Sequence, residues 1–355
     1  MLRIVARTKL YLVLLLSALV LIVWALAVGS RPVSGDETPV RVVIAKGISA
    51  NRIAEILHES GVIRSRFIFM LTCRMSGAGG NLKPGVYELN RAMSVPEVVR
   101  LLVKGESLES WVTIPEGYNA RQIGDLLEKE RLVYSEGFVR LAITGVYQFP
   151  AYPFTHPHSL EGYLFPDTYL VARGIDPQGI IVKMLDAFEV KVITALRPEI
   201  EEAIDQRFGL APDSFPLGLH KILTLASLVE REAKIEKDRP LIAAVLWNRL
   251  ARDMKLQVDA TVTYSPGESR ENKDRVYHKD LENGSPYNTY EHSGLPPGPI
   301  CNPGLESIKA VLDPAGVDYL YYVAKQDGSH VFSRTHEEHQ AAKNAIKSAA
   351  GNGGR

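Results

Sequence analysis

A shift of 70 residues lays one stretch of this 355-residue chain over another, and a repeat of that kind commits the fold to two copies of one small unit. Residues 42–53 fall on residues 112–123, then Leu57 falls on Leu127 and Ser65 on Ser135, with seven identities in about 25 positions. Each copy predicts a short strand, a turn at Gly47 or Gly117, and a helix whose N-cap is Ser49 or Asn119. A second helix is expected over 66–75 in the first copy and over 136–143 in the second. The first copy closes with a strand over 85–89 and a helix start at Ser94. The second has a looser ending, in 167–171 and 176–181. The expectation is two small α+β modules.

Ahead of the repeat, residues 10–28 form a 19-residue run without a charge, preceded by Arg3, Arg7 and Lys9. That length suits a single membrane-spanning helix with its basic flank, residues 1–9, in the cytoplasm and everything from Arg31 onward outside it. A cleaved signal peptide is the competing reading, because Ala25-Leu26-Ala27 resembles a cleavage site. Residues 29–39 are polar and short, a tether. The 41 basic and 41 acidic residues balance, which gives no basis for a nucleic-acid partner. Cys73 and Cys301 belong to no ligand pattern and leave their pairing open. No metal or cofactor is implied.

The carboxyl-terminal half carries the chemistry. From Leu219 to Glu230, helical spacing puts Leu219, Ile222, Leu223, Ala226 and Glu230 on one face, so a carboxylate sits where an apolar side chain is expected. Burying its charge is costly, which favours the protonated acid, and such an acid can deliver a proton to a leaving oxygen. The alternative is a helix edge on which Glu230 pairs with Lys234. Glu232, on another face, is expected to be ordinary surface charge. Around this helix the sequence predicts a strand-like aromatic stretch over 159–169 with Glu161 and Asp167, and an amphipathic helix over 239–252. A strand over 256–264 would present Gln257, Asp259 and Thr261 on its polar face, or simply offer a solvated edge. Residues 266–282 are charged and predicted to be a mobile loop. A Pro/Gly-rich wall, 294–304, would hold Tyr287, Asn288 and Tyr290, side chains that suit sugars. His336 and His339 are three apart and fail the metalloprotease pattern; Thr335 with Glu338 makes a capping box instead.

Four of these stretches, Leu225-Ala226-Ser227-Leu228-Val229-Glu230-Arg231-Glu232, Glu161-Gly162-Tyr163-Leu164-Phe165-Pro166-Asp167-Thr168-Tyr169, Ser285-Pro286-Tyr287-Asn288-Thr289-Tyr290 and Gly294-Leu295-Pro296-Pro297-Gly298-Pro299-Ile300, resemble the YceG-like family in the same order along the chain. The first module, residues 40–106, also resembles the LysM-like subdomain of some cell-wall enzymes. The resemblance implies an α+β protein: a transmembrane anchor (10–28), the LysM-like module, a second repeat-like subdomain (107–154), a mixed α/β catalytic domain (155–347) and a disordered tail (348–355). Characterised members of the family are membrane-anchored endolytic murein transglycosylases. The implied substrate is therefore peptidoglycan glycan strands, cut between N-acetylmuramic acid and N-acetylglucosamine. Glu230 is the implied catalytic acid, serving also as the base that closes a 1,6-anhydro ring. Glu161, Tyr163, Asp167, Ser227, Gln257, Asp259, Thr261, Tyr287, Asn288, Thr289 and Tyr290 are the candidate substrate-binding residues. The bacterial inner membrane is the implied location, and glycan polymerases the implied partners. Two competitors stand beside this reading: a hydrolytic muramidase using Asp259 or Glu161 as second carboxylate, and a tethered peptidoglycan-binding scaffold without turnover.

Overall fold

The 70-residue offset survives in the structure, a computed structural model that describes residues 28–105, 107–145, 148–155, 159–268 and 281–352. Strand β1 (Val40–Ile44) leads into α1 (Ala50–Glu59) and α2 (Arg66–Met75). Strand β2 (Gly85–Leu89) and α3 (Val95–Lys104) follow. The second copy repeats the order with β3 (Glu109–Thr113), α4 (Ala120–Lys129), α5 (Ser135–Thr144), β4 (Thr168–Ala172) and α6 (Pro177–Phe188). Both expected caps are made: Ser49 Oγ accepts the Arg52 N–H and Asn119 Oδ1 accepts the Gln122 N–H.

The strands form one sheet in the order β1-β2-β3-β4, with β1 and β2 antiparallel from Val40↔Leu89 to Ile44↔Gly85. The chain divides into two compact units. The first takes the described chain to Val112 together with Leu170–Arg173. Its core alternates as a half-buried sheet should: Val42, Ile44, Tyr87 and Leu89 turn toward Ile53, Leu57, Phe69, Val98 and Leu102 of the helices. The expected tether is fastened to this unit. Arg64 donates to the carbonyls of Pro32 and Val33 at 3.1 and 2.6 Å, the Val95 N–H donates to the Ser30 carbonyl, and the Ser34 N–H to that of Arg91.

The second unit, Thr113–Tyr169 with the described residues from Gly174, holds α4 to α6, α7 (Arg197–Phe208), α8 (Phe215–Glu232), α9 (Arg239–Leu250), α10 (Asp259–Thr263), α11 (Leu305–Leu312), the hairpin β5 (Tyr321–Ala324) and β6 (His330–Ser333), and α12 (His336–Asn352). Helix α8 is its axis. From Leu219 to Val229 every residue except Lys221 is buried, against α7, α9 and α11. Prolines in the first turn of α6, α7, α8 and α9 start these helices where their missing N–H costs nothing.

Two strand expectations are corrected. Residues 159–167 are turns, with the strand starting only at Thr168. The alternation over 256–264 ends in helix α10 rather than a strand. Gln257 explains the break, since its φ of 53° reverses the chain while its N–H is taken by the Thr289 carbonyl. The capping box at α12 is made between Thr335 and Glu338. Cys73 and Cys301 are both free, buried thiols. The expected membrane span lies, except for Val28, outside the described residues, as does most of the loop expected over 266–282. No helix among the described residues is long and apolar enough to cross a membrane.

Candidate active site

Glu230 sits in the last turn of α8 with its side chain only 8% exposed. The apolar setting expected for it is corrected by what arrives from more than 70 residues downstream. The Gly304 N–H donates to Glu230 Oε2 at 3.0 Å, and Ser307 Oγ donates to the same oxygen at 2.7 Å. Both donors belong to the start of α11, so the positive end of that helix faces the carboxylate. Arg239, first residue of α9, stands with Nη2 at 3.7 Å from Oε1, and its Nε donates to Ser307 Oγ at 3.1 Å. Oε2 therefore carries two hydrogen bonds, whereas Oε1 meets the guanidinium beyond hydrogen-bond reach. Lys234 is not the partner found for Glu230.

A second carboxylate shares the arginine. Glu116 Oε2 lies 3.9 Å from Arg239 Nη2. Burial, then the charge of Glu230, pushes the Glu116 carboxyl above its usual value, with Arg239 acting in the opposite direction. The approach is close enough that a β-carbon on Gly304 would stand 2.2 Å from Glu116 Cδ, so a larger residue there would push the Glu116 carboxylate aside. Gly117, in the left-handed conformation at φ 75°, turns the preceding strand so that its backbone passes beside Glu230 Cγ. A recess of about 240 Å³ is lined by Arg239 with Glu236, Pro240, Glu306, Lys309 and Asp313.

The other predicted residues divide into scaffold and rim. Glu161 is 2% exposed and its oxygens accept from the Ala120 N–H, Tyr264 Oη and Asn302 Nδ2, so it holds the start of α4 rather than facing a ligand. Burial pushes its pKa up to about 7 against the pull of those donors. Tyr163 is fully buried and bonded to His220 Nδ1. Ser227, also fully buried, accepts the Ile300 N–H and so pins the Pro/Gly wall to α8. Asn288 and Thr289 are buried; Asn288 donates to the Leu281 carbonyl, and Thr289 ties Val258 and Thr261 together. Asp167 pairs with Lys191 at the surface. Gln257 and Asp259 are exposed, while Tyr287 and Tyr290 are half-buried.

Besides Glu116, Arg239 and Ser307, two more features escaped the sequence reading. Asn302 is fully buried and joins three segments: it accepts the N–H groups of Gly162 and Leu164 and donates to Glu161 and the Tyr118 carbonyl. Its position inside the wall was the only signal. Glu232, expected to be surface charge, forms a second acidic pocket instead. Tyr322 Oη donates to it at 3.1 Å, and Tyr290 Oη donates to the neighbouring Asp259 at 2.5 Å. Burial pushes Glu232 up to about 7; the Tyr322 hydrogen bond opposes the rise and the charge of Asp259 adds to it.

The structure is thus that of an α+β protein in which one helix-borne glutamate is gripped by a helix start and an arginine. This chain belongs to the YceG-like family, whose model matches residues 42–345. It is similar to the endolytic murein transglycosylase of Bacillus subtilis (strain 168), 35% identical over 327 residues that cover 88% of this chain and 86% of that one. It is 31% identical over 329 residues to the endolytic murein transglycosylase of Streptococcus pneumoniae serotype 2 (strain D39), covering 84% of this chain and 57% of that relative. The 2.6 Å crystal structure of a YceG-like protein from Listeria monocytogenes superposes with a TM-score of 0.60 at 36% identity, over 85% of this chain and 98% of that one.

Proposed function

We propose that this protein is an endolytic lytic transglycosylase that cuts peptidoglycan glycan strands between N-acetylmuramic acid and N-acetylglucosamine. The observation that carries the reading is the asymmetry of the Glu230 carboxylate. With Oε2 held by Gly304 and Ser307, Oε1 is the oxygen left to handle a proton. Protonated Glu230 gives that proton to the glycosidic oxygen as the C1–O bond breaks and positive charge develops on the muramyl ring. The charge left on the carboxylate is stabilised by the two donors and by Arg239. Oε1 then takes the proton of the muramyl C6 hydroxyl as its oxygen bonds to C1, closing a 1,6-anhydro ring. One acid/base completes the cycle, because the substrate supplies the nucleophile.

A hydrolytic muramidase is the second reading, and one observation favours it: Glu116 gives Glu230 a carboxylate neighbour across Arg239. Glu161, an earlier candidate for that part, is sealed in the scaffold. Product mass separates the two, since anhydro ends are lighter than hydrolytic ends by one water.

The same proposal includes a single-pass anchor at residues 10–28 in the bacterial inner membrane, the catalytic unit outside the cytoplasm, a LysM-like role for the first module, and glycan polymerases as neighbours. The uncharged run behind Arg3, Arg7 and Lys9 supports the anchor. Gel analysis of intact cells treated with an external protease tests the topology: the anchored reading expects degradation only after the outer barrier is opened.

A further inference from the structure

Helix α2 of the first unit is apolar on both sides. Its sequence, Arg66-Phe67-Ile68-Phe69-Met70-Leu71-Thr72-Cys73-Arg74-Met75, buries Ile68, Phe69 and Cys73 against the sheet and the neighbouring helices. At helical spacing the opposite face carries Phe67, Met70, Leu71, Arg74 and Met75. Phe67 is 71% and Met75 78% exposed, and Met70 and Leu71 are half-exposed. An exposed face carrying Phe67, Met70, Leu71 and Met75 beside Arg74 calls for a second apolar environment, and nothing in the described chain supplies one for it.

The position of the face in the unit says what that environment is. Gly29, the residue after the uncharged run, lies directly against α2: a β-carbon on it would meet Ile68 Cγ1 at 2.7 Å. Ser30 and Pro96 complete an apolar recess of about 460 Å³ with Ile68, Leu71 and Met75. Residues 30–36 do not let the unit swing away. They are bonded to it through Arg64, Val95 and Arg91, and Asp36 pairs with Arg91 at 3.2 Å. Arg66, which stands 3.8 Å from Glu55, and Arg74 are exposed in the first and last turns of the helix, where long basic side chains reach anionic headgroups while their stems stay with the apolar layer.

We propose that the outer face of α2 rests in the interfacial layer of the membrane, with Phe67, Leu71 and Met75 in the acyl boundary and Arg66 and Arg74 on headgroup phosphates, so that the first unit lies on the bilayer instead of hanging from it. The proposal rests on the anchor reading of residues 10–28. With residues 30–36 stitched to the first unit, an anchor at 10–28 would hold the α2 face near the lipid surface, which makes a weak interfacial interaction effectively intramolecular.

The test uses the full chain reconstituted in vesicles containing anionic lipid, with an environment-sensitive fluorophore on Phe67→Cys, Met75→Cys or Glu88→Cys. Glu88 is exposed on the sheet face opposite the helices, and labelling of the parent protein measures any background from the buried Cys73 and Cys301. The proposal expects a blue shift at positions 67 and 75, loss of their emission when the lipid carries a shallow nitroxide, and neither effect at position 88. As a second readout on unsubstituted protein, a photoactivatable lipid should crosslink to the 66–75 peptide. Flotation with the vesicles and an intact mass beginning at Met1 read the anchor separately. A floating, intact protein whose three labels behave alike, with no crosslink at 66–75, overturns the proposal, leaves the anchor standing and assigns the face to a protein partner. A chain that does not float overturns both.

Discussion

At the scale of single residues, the site depends on which oxygen of Glu230 is free. Glu230→Gln keeps the volume and can still accept at its amide oxygen, but cannot cycle a proton. Turnover on isolated sacculi is therefore expected to fall by about 10²–10⁴-fold with sacculus binding retained. Ser307→Ala removes one of two donors from Oε2 and the group that Arg239 steadies. It should lower the rate by about tenfold at unchanged fold, read by turnover and circular dichroism together. Glu116→Gln takes away the carboxylate that shares Arg239 with Glu230. The expected outcome is turnover with anhydro products retained; abolished product release, with reducing ends made by the parent protein, would instead mark Glu116 as the base of a muramidase. Much of this pocket was hidden in the sequence. Spacing singled out Glu230 as an anomaly, but Gly304, Ser307 and Arg239 reach it through tertiary contacts that no local period encodes.

At the scale of elements, the helices and the Pro/Gly wall were legible, and the contacts that fasten the wall were not. Strong periodicity and caps predicted α1, α2, α8 and α9 closely, because burial of one face and the N-cap chemistry act locally. The strand expected over 256–264 failed because alternation is silent about a left-handed residue such as Gln257. Of the predicted sugar contacts, Glu161 and Ser227 hydrogen-bond the wall through Asn302 and Ile300, Tyr163 bonds His220, and Asn288 and Thr289 bond Leu281, Val258 and Thr261. A motif marks need for a residue type without distinguishing holding from touching. Two predictions belong here. Asn302→Ala leaves the N–H groups of Gly162 and Leu164 without their acceptor, and should lower the stability of the second unit by about 1–3 kcal/mol, measured by urea denaturation. Glu161, raised from 4.5 to about 7, binds its proton more tightly in the folded than in the unfolded chain. Its contribution is fully present below the unfolded value and is lost as pH rises toward about 7, on the order of 3 kcal/mol. Urea midpoints should thus fall from pH 5 to pH 8, and fall less in Glu161→Gln. A midpoint that rises over that range contradicts the assignment.

At the scale of the whole molecule, the internal repeat determined more of the architecture than any motif. Helices α1 and α4 occupy residues 50–59 and 120–129, the same ten positions one repeat apart, and their strands share one sheet. What the repeat could not disclose is the partition, since the two copies contribute to different compact units: contact density, not sequence similarity, decides that boundary. The central claim is a reaction, an acid/base glutamate closing an anhydro ring, and the most direct measurement is mass analysis of sacculi digested by the full-length protein and by Glu230→Gln side by side. The account predicts soluble fragments ending in 1,6-anhydro-muramyl residues from the wild type and none from the variant. Reducing, non-anhydro ends from the wild type, or undiminished release by Glu230→Gln, would contradict it.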